Sequence, residues 1–407
     1  ENLRLTEIRW EKTESWNIGA DIHLFDGLFK LDFNAYKKKT TDLLNSGVRI
    51  PSSTGFSTLS SANVGSMENE GWELYISTKD VFKVGKFSMN FRVNFAQNIN
   101  TITEMDANVL AAANADYNYN NHSYVKRVQI GHALGGIYGF RYKGVYAYDY
   151  DHNGYFIDDK KNDYYDANGN RNTAAATGKT APIARDAEGK VIYDKRGNPL
   201  PMYFNYGGRN YQFQGGDAIY EDVNHDGQID RYDMVYLGNS NPKCNGGFGI
   251  QLYYDRFSLN TGFTFRMGNQ IVNTMRMQLE SMLNNNNQSY ATTWRWRKNG
   301  DITEIPRALS RVHGYNSYNS LPSDRYVEDG DYLRLLYVQL SYDFDAKKLK
   351  KYGINNLKLF ASVNNLWCWT KYTGVDPDVS PQGFAVSKDG GRTPRTKSFS
   401  CSINLGF

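Results

Sequence analysis

Residues 397–407 read KSFSCSINLGF. Phe399, Cys401, Ile403, Leu405 and Phe407 fall on one parity, and Ser398, Ser400, Ser402, Asn404 and Gly406 on the other. Successive strand side chains point to opposite faces, so this alternation describes a strand with one apolar and one polar face. Two settings ask for such a strand. In a soluble sandwich the apolar face meets a protein core; in a membrane barrel it meets lipid while the polar face meets a wet lumen. The aromatic at the strand's end favours the barrel, and repetition along the chain is what separates the two.

The pattern repeats. Residues 16–25 (WNIGADIHLF) and 29–36 (FKLDFNAY) alternate around Asp26-Gly27, a tight-turn signal, and so predict a hairpin. A Ser/Thr/Gly-rich loop follows. Residues 63–82 then alternate through Trp72, Leu74 and Ile76, turn at Val84-Gly85-Lys86, and return with Phe87, Met89, Phe91, Val93 and Phe95 opposite Ser88, Asn90, Arg92, Asn94 and Ala96. Residues 131–149 (GHALGGIYGFRYKGVYAYD) are strand-like but glycine-rich. Residues 248–254 and 257–267 form a second clean hairpin around Asp255-Arg256; 269–283 have the spacing of a short surface helix; 332–344, 357–369 and 397–407 are the last strands. About ten strands result, joined alternately by tight turns and long polar loops, as in outer-membrane barrels whose short turns lie at the periplasmic rim. The fold class expected is all-β: a transmembrane antiparallel barrel portion with long extracellular loops. Barrel strands are expected over 1–149, a long extracellular insertion over 150–240, and a second set of strands over 241–407.

Composition agrees. Aromatic residues make up 14% of the 407, with 31 Tyr against 10 Pro, which suits a large sheet with aromatic girdles. A mean hydropathy of −0.63 is no objection, since alternation averages lipid-facing and lumen-facing residues. No run reaches the roughly 18 apolar residues of a spanning helix. A net charge of +4, without basic blocks beside an aromatic platform, gives no case for nucleic-acid binding. Cys244, Cys368 and Cys401 are odd in number and far apart, which indicates neither a disulfide framework nor a zinc site.

Five segments together resemble the SusC/RagA-type TonB-dependent outer-membrane transporters, in the C-terminal part of their barrel: 1–44, 63–74 (NVGSMENEGWEL), 215–249 (GGDAIYEDVNHDGQIDRYDMVYLGNSNPKCNGGFG), 330–344 (GDYLRLLYVQLSYDF) and 396–407 (TKSFSCSINLGF). The resemblance implies a barrel of about 22 strands around an N-terminal plug, a SusD-like surface lipoprotein acting as a lid, and import of glycans or peptides driven by the TonB complex. The chain opens at Glu1 without a basic or apolar leader, so the export signal is expected either to have been cleaved or to lie upstream, and the plug, the TonB box and the remaining strands are expected in polypeptide outside these residues. Membrane lipid and lipopolysaccharide are the expected surroundings.

One segment has metal-ligand spacing. Residues 222–233 (DVNHDGQIDRYD) place Asp222, Asn224 and Asp226 at positions 1, 3 and 5 of a calcium loop, Gly227 at the sharp turn, the Gln228 carbonyl at 7, Asp230 at 9 and Asp233 at 12. A hard cation needs six or seven oxygens converging on a point, which a short Asp/Asn/Gly coil supplies; an acidic, solvated turn is the alternative. Residues 149–159 (Asp149, Asp151, Asn153, Gly154) begin similarly but carry Lys160 at position 12, and are expected as a plain turn. Tyr203, Tyr206, Tyr211, Trp294 and Trp296 could stack on sugar rings or belong to an interfacial girdle. The six histidines show no metal-binding period, and no Gly-x-Ser-x-Gly elbow occurs. Transport is thus the leading reading, with a barrel scaffold of a larger complex as its alternative and an autonomous barrel enzyme, lacking an assignable nucleophile, third.

Overall fold

The computed structural model describes residues 8–45, 48–49, 58–59, 61–107, 109–110, 124, 128–147, 182–197, 199–206, 209–298, 300–311, 317–379 and 386–407. Nine long strands form one antiparallel sheet in which each pairs with the next along the chain: β1 (Lys12–Leu24), β2 (Phe29–Thr41), β3 (Gly65–Thr78), β4 (Phe87–Met105), β5 (Cys244–Tyr254), β6 (Phe257–Met267), β7 (Tyr332–Asp343), β8 (Asn356–Thr370) and β9 (Ser398–Gly406). A short strand, Phe82–Val84, also pairs with β4.

The connections alternate as expected. β1–β2, β3–β4 and β5–β6 close at one rim through short connections whose left-handed residues include Asp26 and Gly27, Gly85, and Asp255, with φ of 54°, 83°, 58° and 53°. The opposite rim carries the described residues of the four longer connections, between β2 and β3, β4 and β5, β6 and β7, and β8 and β9.

Register keeps the two faces separate. Asn90, Gln251, Asn260, Gln339, Ser362 and Ser400 stand opposite one another across β4 to β9, and the neighbouring row is Met89, Leu252, Leu259, Leu340, Ala361 and Cys401. A slip of one residue in any strand would interleave the two rows. On the polar face Arg92 reaches across β5 and β6 to hydrogen-bond the Tyr337 hydroxyl. Glycines clear its path: a Cβ at Gly249 would stand 3.2 Å from Arg92 Nε, and one at Gly262 would stand 2.4 Å from the Tyr337 ring. The sheet stays open. Among the described residues β1 pairs with β2 alone and β9 with β8 alone, leaving Trp16 and Ile18 on β1 and Phe399 and Ile403 on β9 largely exposed.

Of the expected strand-like stretch 131–149, the described residues 131–147 do not supply a strand of this sheet. Gly136–Gly139 pairs with Val235–Asn239 and Tyr142–Val145 with Ala218–Tyr220, each ladder shifting register within a few residues. Gly135 and Gly144 have φ of 94° and 112°, and such kinks end the regular alternation that a long strand needs. The expected surface helix over 269–283 is shorter and is packed. Gln270–Asn273 is a strand, and α1 (Thr274–Glu280) starts where the Asn273 side chain accepts the Arg276 N–H. Ile271, Val272 and Met277 are fully buried.

Described residues of two of the longer connections, β4–β5 and β6–β7, pack together. Phe140, Phe204, Phe213, Tyr220, Ile229, Leu309, Tyr318 and Leu321 form one core, drawn from three stretches far apart in sequence. The loops at this rim therefore form a packed layer with an apolar core of its own.

Candidate functional site: the loop layer and its acidic turn

The acidic turn lies in this layer. Asp222 accepts the N–H groups of Asp226 (3.2 Å) and Gly227 (2.8 Å), and Asp226 accepts that of Gln228 (2.8 Å). Asp230 accepts the Tyr232 N–H and caps the 3-10 turn Arg231–Asp233. Asp233, fully buried, accepts the N–H groups of Val223 and Asp230, both at 2.8 Å. Burial pushes the Asp233 carboxyl up to about 6 against the pull of those two N–H groups, and Asp222 and Asp230 add to the rise. Gly227, at φ 82°, leaves no room for a side chain: a Cβ would meet Ala184 and Leu200 at 2.8 Å. Gln228 sits in a two-residue strand, Gln228–Ile229, parallel to Tyr203–Tyr206.

The six sequence-predicted residues therefore lie along one twelve-residue stretch made of an acidic bend, a two-residue strand and a 3-10 turn. Among the described residues, however, no three His, Cys, Asp or Glu side chains gather as a ligand set. The donors are all oxygens, the kind a hard cation takes, and a carboxylate oxygen that accepts an N–H keeps a second lone pair. Residues 149–159 lie outside the described residues.

Of the aromatic candidates, Tyr211 stacks on Tyr318 with ring centroids 4.1 Å apart, and Trp296 lies over Gly216 and donates to the Ala147 carbonyl at 3.0 Å. Tyr203 donates to the Gln212 side chain. Tyr211 and Trp296 pack within the layer, whereas Trp294 is 69% exposed. The Tyr206 side chain lies outside the described residues.

Two clusters that sequence reading missed hold the layer in place. Asp217, fully buried, receives Arg307 Nε at 2.7 Å, the Tyr211 hydroxyl at 2.7 Å, the Gln214 N–H at 2.8 Å and Asn319 Nδ2 at 3.1 Å. At the polar face of the sheet, Arg334 of β7 pairs with Asp376, and Arg266 of β6 pairs with Asp378 and donates to the Val379 carbonyl. These pairs tie the stretch 376–379 to the sheet. No local spacing announces either cluster, since the partners meet only in the fold.

The sequence is 30% identical over 412 residues to TonB-dependent receptor P39 of Formosa agariphila and 25% identical over 405 residues to TonB-dependent receptor SusC of Bacteroides thetaiotaomicron. The chain matches the barrel portion of SusC-type TonB-dependent receptors. Both alignments take in 98% of this chain but 36% and 32% of those proteins, so the SusC-type match spans about a third of the curated relatives' length. Among solved structures the fold is similar to that of the RagAB peptide transporter, with a TM-score of 0.63 at 20% identity over 98% of this chain and 36% of that one. The architecture is accordingly an all-β barrel portion. No family profile matches the chain.

Proposed function

We propose that this chain is part of the wall of an outer-membrane importer of nutrient oligomers, glycans or peptides. A SusD-like surface lipoprotein would act as its lid, and the TonB complex would act through the plug-bearing polypeptide outside these residues. The observation that carries this reading is the sheet itself: nine strands keep an apolar row against a polar row, with tight turns at one rim and a folded loop layer at the other. A surface of that kind fits between lipid and a wet lumen. Two unpaired edge strands fit a wall completed by further strands, because an open edge is an unsatisfied row of backbone groups and the bilayer tolerates none. The RagAB likeness supports transport; the choice between glycan and peptide stays with the substrate assay.

The test is mass spectrometry of the intact complex purified from outer membranes, followed by growth of a deletion strain on single oligomeric nutrients. A plug-bearing polypeptide, a surface lipoprotein and a growth defect on one nutrient class are expected. A complex with those partners but no growth defect on any nutrient would instead make the barrel a scaffold.

Within the same reading we propose that calcium binds the turn formed by Asp222, Asn224, Asp226, Gln228, Asp230 and Asp233. There it would stiffen the layer on which the lid docks. The oxygen-only donor set and the glycine-cleared bend at Gly227 support this.

A further inference from the structure

On the polar face two hollows run together beneath the loop layer. The lower one, of about 650 Å³, lies across β1 to β4, with Asn17, Asn34, Tyr36, Lys38 and Glu73 in its lining. The upper one, of about 360 Å³, reaches Asn100 on β4, Asn245 on β5, and Leu134 and Asn241 of the loop layer. Asn69 and Asn98 line both, so the two form one trough. Register puts these side chains on one face. Asn17 stands opposite Tyr36, Tyr36 opposite Gly71 and Gly71 opposite Asn98; Lys38, Asn69 and Asn100 make the row nearer the loop layer, and Asn34 and Glu73 the row farther from it. Rows two residues apart lie about 7 Å apart along a strand, so the three rows span about 14 Å down the wall. Each hollow is in the range of small-molecule sites, about 300–1,000 Å³.

Part of this amide surface is spent on the fold. Tyr36 leans over Gly71, where a Cβ would stand 2.8 Å from its hydroxyl, and donates to Asn98 Oδ1 at 3.2 Å. Asn100 donates to Asn69 Oδ1 at 2.9 Å and accepts the Leu134 N–H at 3.2 Å, which hangs the loop layer on the wall. The rest is open. Among the described residues the side chains of Asn17, Asn34 and Asn245 make no hydrogen bond, and all three are exposed. Lys38 and Glu73 are the only charged residues in either lining among the described residues, and their signs are opposite.

A side-chain amide is donor and acceptor at once, and so is a hydroxyl group. A row of open amides without net charge therefore matches a ligand whose surface is dense in hydroxyls. A peptide would also need pockets for its side chains, and among the described residues the lower hollow has no aliphatic residue in its lining. An acidic glycan would meet Glu73 as well as Lys38 and gain nothing from the pair.

We propose that this trough binds a neutral, hydroxyl-rich oligosaccharide on the inner wall below the loop layer. The inference rests on the importer reading given above and narrows its substrate class to neutral glycans.

The intact complex, purified from outer membranes with the polypeptides that accompany it, is titrated by calorimetry with neutral hexamers of glucan, xylan, mannan and fructan, with hexagalacturonate, and with tryptic casein peptides. One of the neutral hexamers is expected to bind, and hexagalacturonate and the peptides are not. Asn34→Leu and Asn245→Leu should each weaken that binding about fivefold, the loss of one neutral hydrogen bond, whereas Lys38→Met should change it less than about twofold. Asn34 and Asn245 are exposed, so neither variant threatens folding. Binding of the peptides or hexagalacturonate in place of a neutral hexamer, binding of no neutral hexamer, or a loss with Lys38→Met larger than with the asparagine variants overturns the assignment. A complex that imports its nutrient with affinity unchanged in both asparagine variants also overturns it, and leaves the proposed function standing. Binding through these residues by a complex that supports growth on no nutrient supports the trough and sinks that function.

Discussion

Arg307 Nε stands 2.7 Å from Asp217 Oδ1, joining residues ninety positions apart inside the loop layer. The carboxylate is fully buried, and among the described residues its hydrogen-bond partners are Tyr211, Gln214, Arg307 and Asn319. The pair therefore fixes two long loops against each other.

Arg307→Met should destabilise this layer by about 2–4 kcal/mol, because it leaves a buried carboxylate with too few donors. Hydrogen exchange at 211–220 and 305–320 should rise while protection of β5 to β8 is unchanged. Equal loss of protection in sheet and layer would show that the two do not open separately.

The acidic turn should respond to pH. The Asp233 carboxyl is raised in the folded chain from 3.8 to about 6, so the folded turn holds a proton that the unfolded turn releases. Stability of the turn should then fall as pH rises from about 4 to about 6, by on the order of 2–3 kcal/mol, and level off above. Exchange rates at 222–235 measured across that window check the sign, and Asp233→Asn should flatten the profile.

Calcium should change that profile. A bound divalent cation keeps Asp233 ionised, so with millimolar calcium the turn should lose its pH dependence above about pH 5 and gain protection, with a dissociation constant of about 0.1–1 mM as in extracellular calcium modules. Calorimetric titration of the purified protein with calcium and with magnesium measures it. No heat with either ion would leave the turn a self-capped loop.

Gly262→Ala tests the polar face. The new methyl would fall 2.4 Å from the Tyr337 ring, so the ring must leave its contact with Arg92, at a cost of about 1–3 kcal/mol. A lower temperature for loss of the folded band in heat-modifiability gels is the expected outcome. Thr261→Ala, one residue away on the other face, should move it far less.

The open edges predict a cross-linking pattern. Cysteines placed on β1 and β9 should not bridge each other in the intact protein, and each should bridge a strand outside residues 1–407. A β1–β9 disulfide in high yield would mean that this sheet closes on itself and would remove the importer reading.

The two-residue period along β1 to β9 determined from sequence alone that the chain is a sheet with one apolar and one polar face, and the turn pairs Asp26-Gly27 and Asp255-Arg256 determined where it reverses. These signals are local: a side chain's face is set by parity and a tight turn by its own φ angles. The acidic turn was legible for the same reason, since its six residues lie within twelve positions. Only the tertiary structure decided that 131–147 leaves the wall for the loop layer, that Tyr211 and Trp296 pack inside it, that Asp217 meets Arg307, and that Arg334 and Arg266 pin the stretch 376–379. Each depends on which distant segment comes alongside, and parity and spacing carry no information about that.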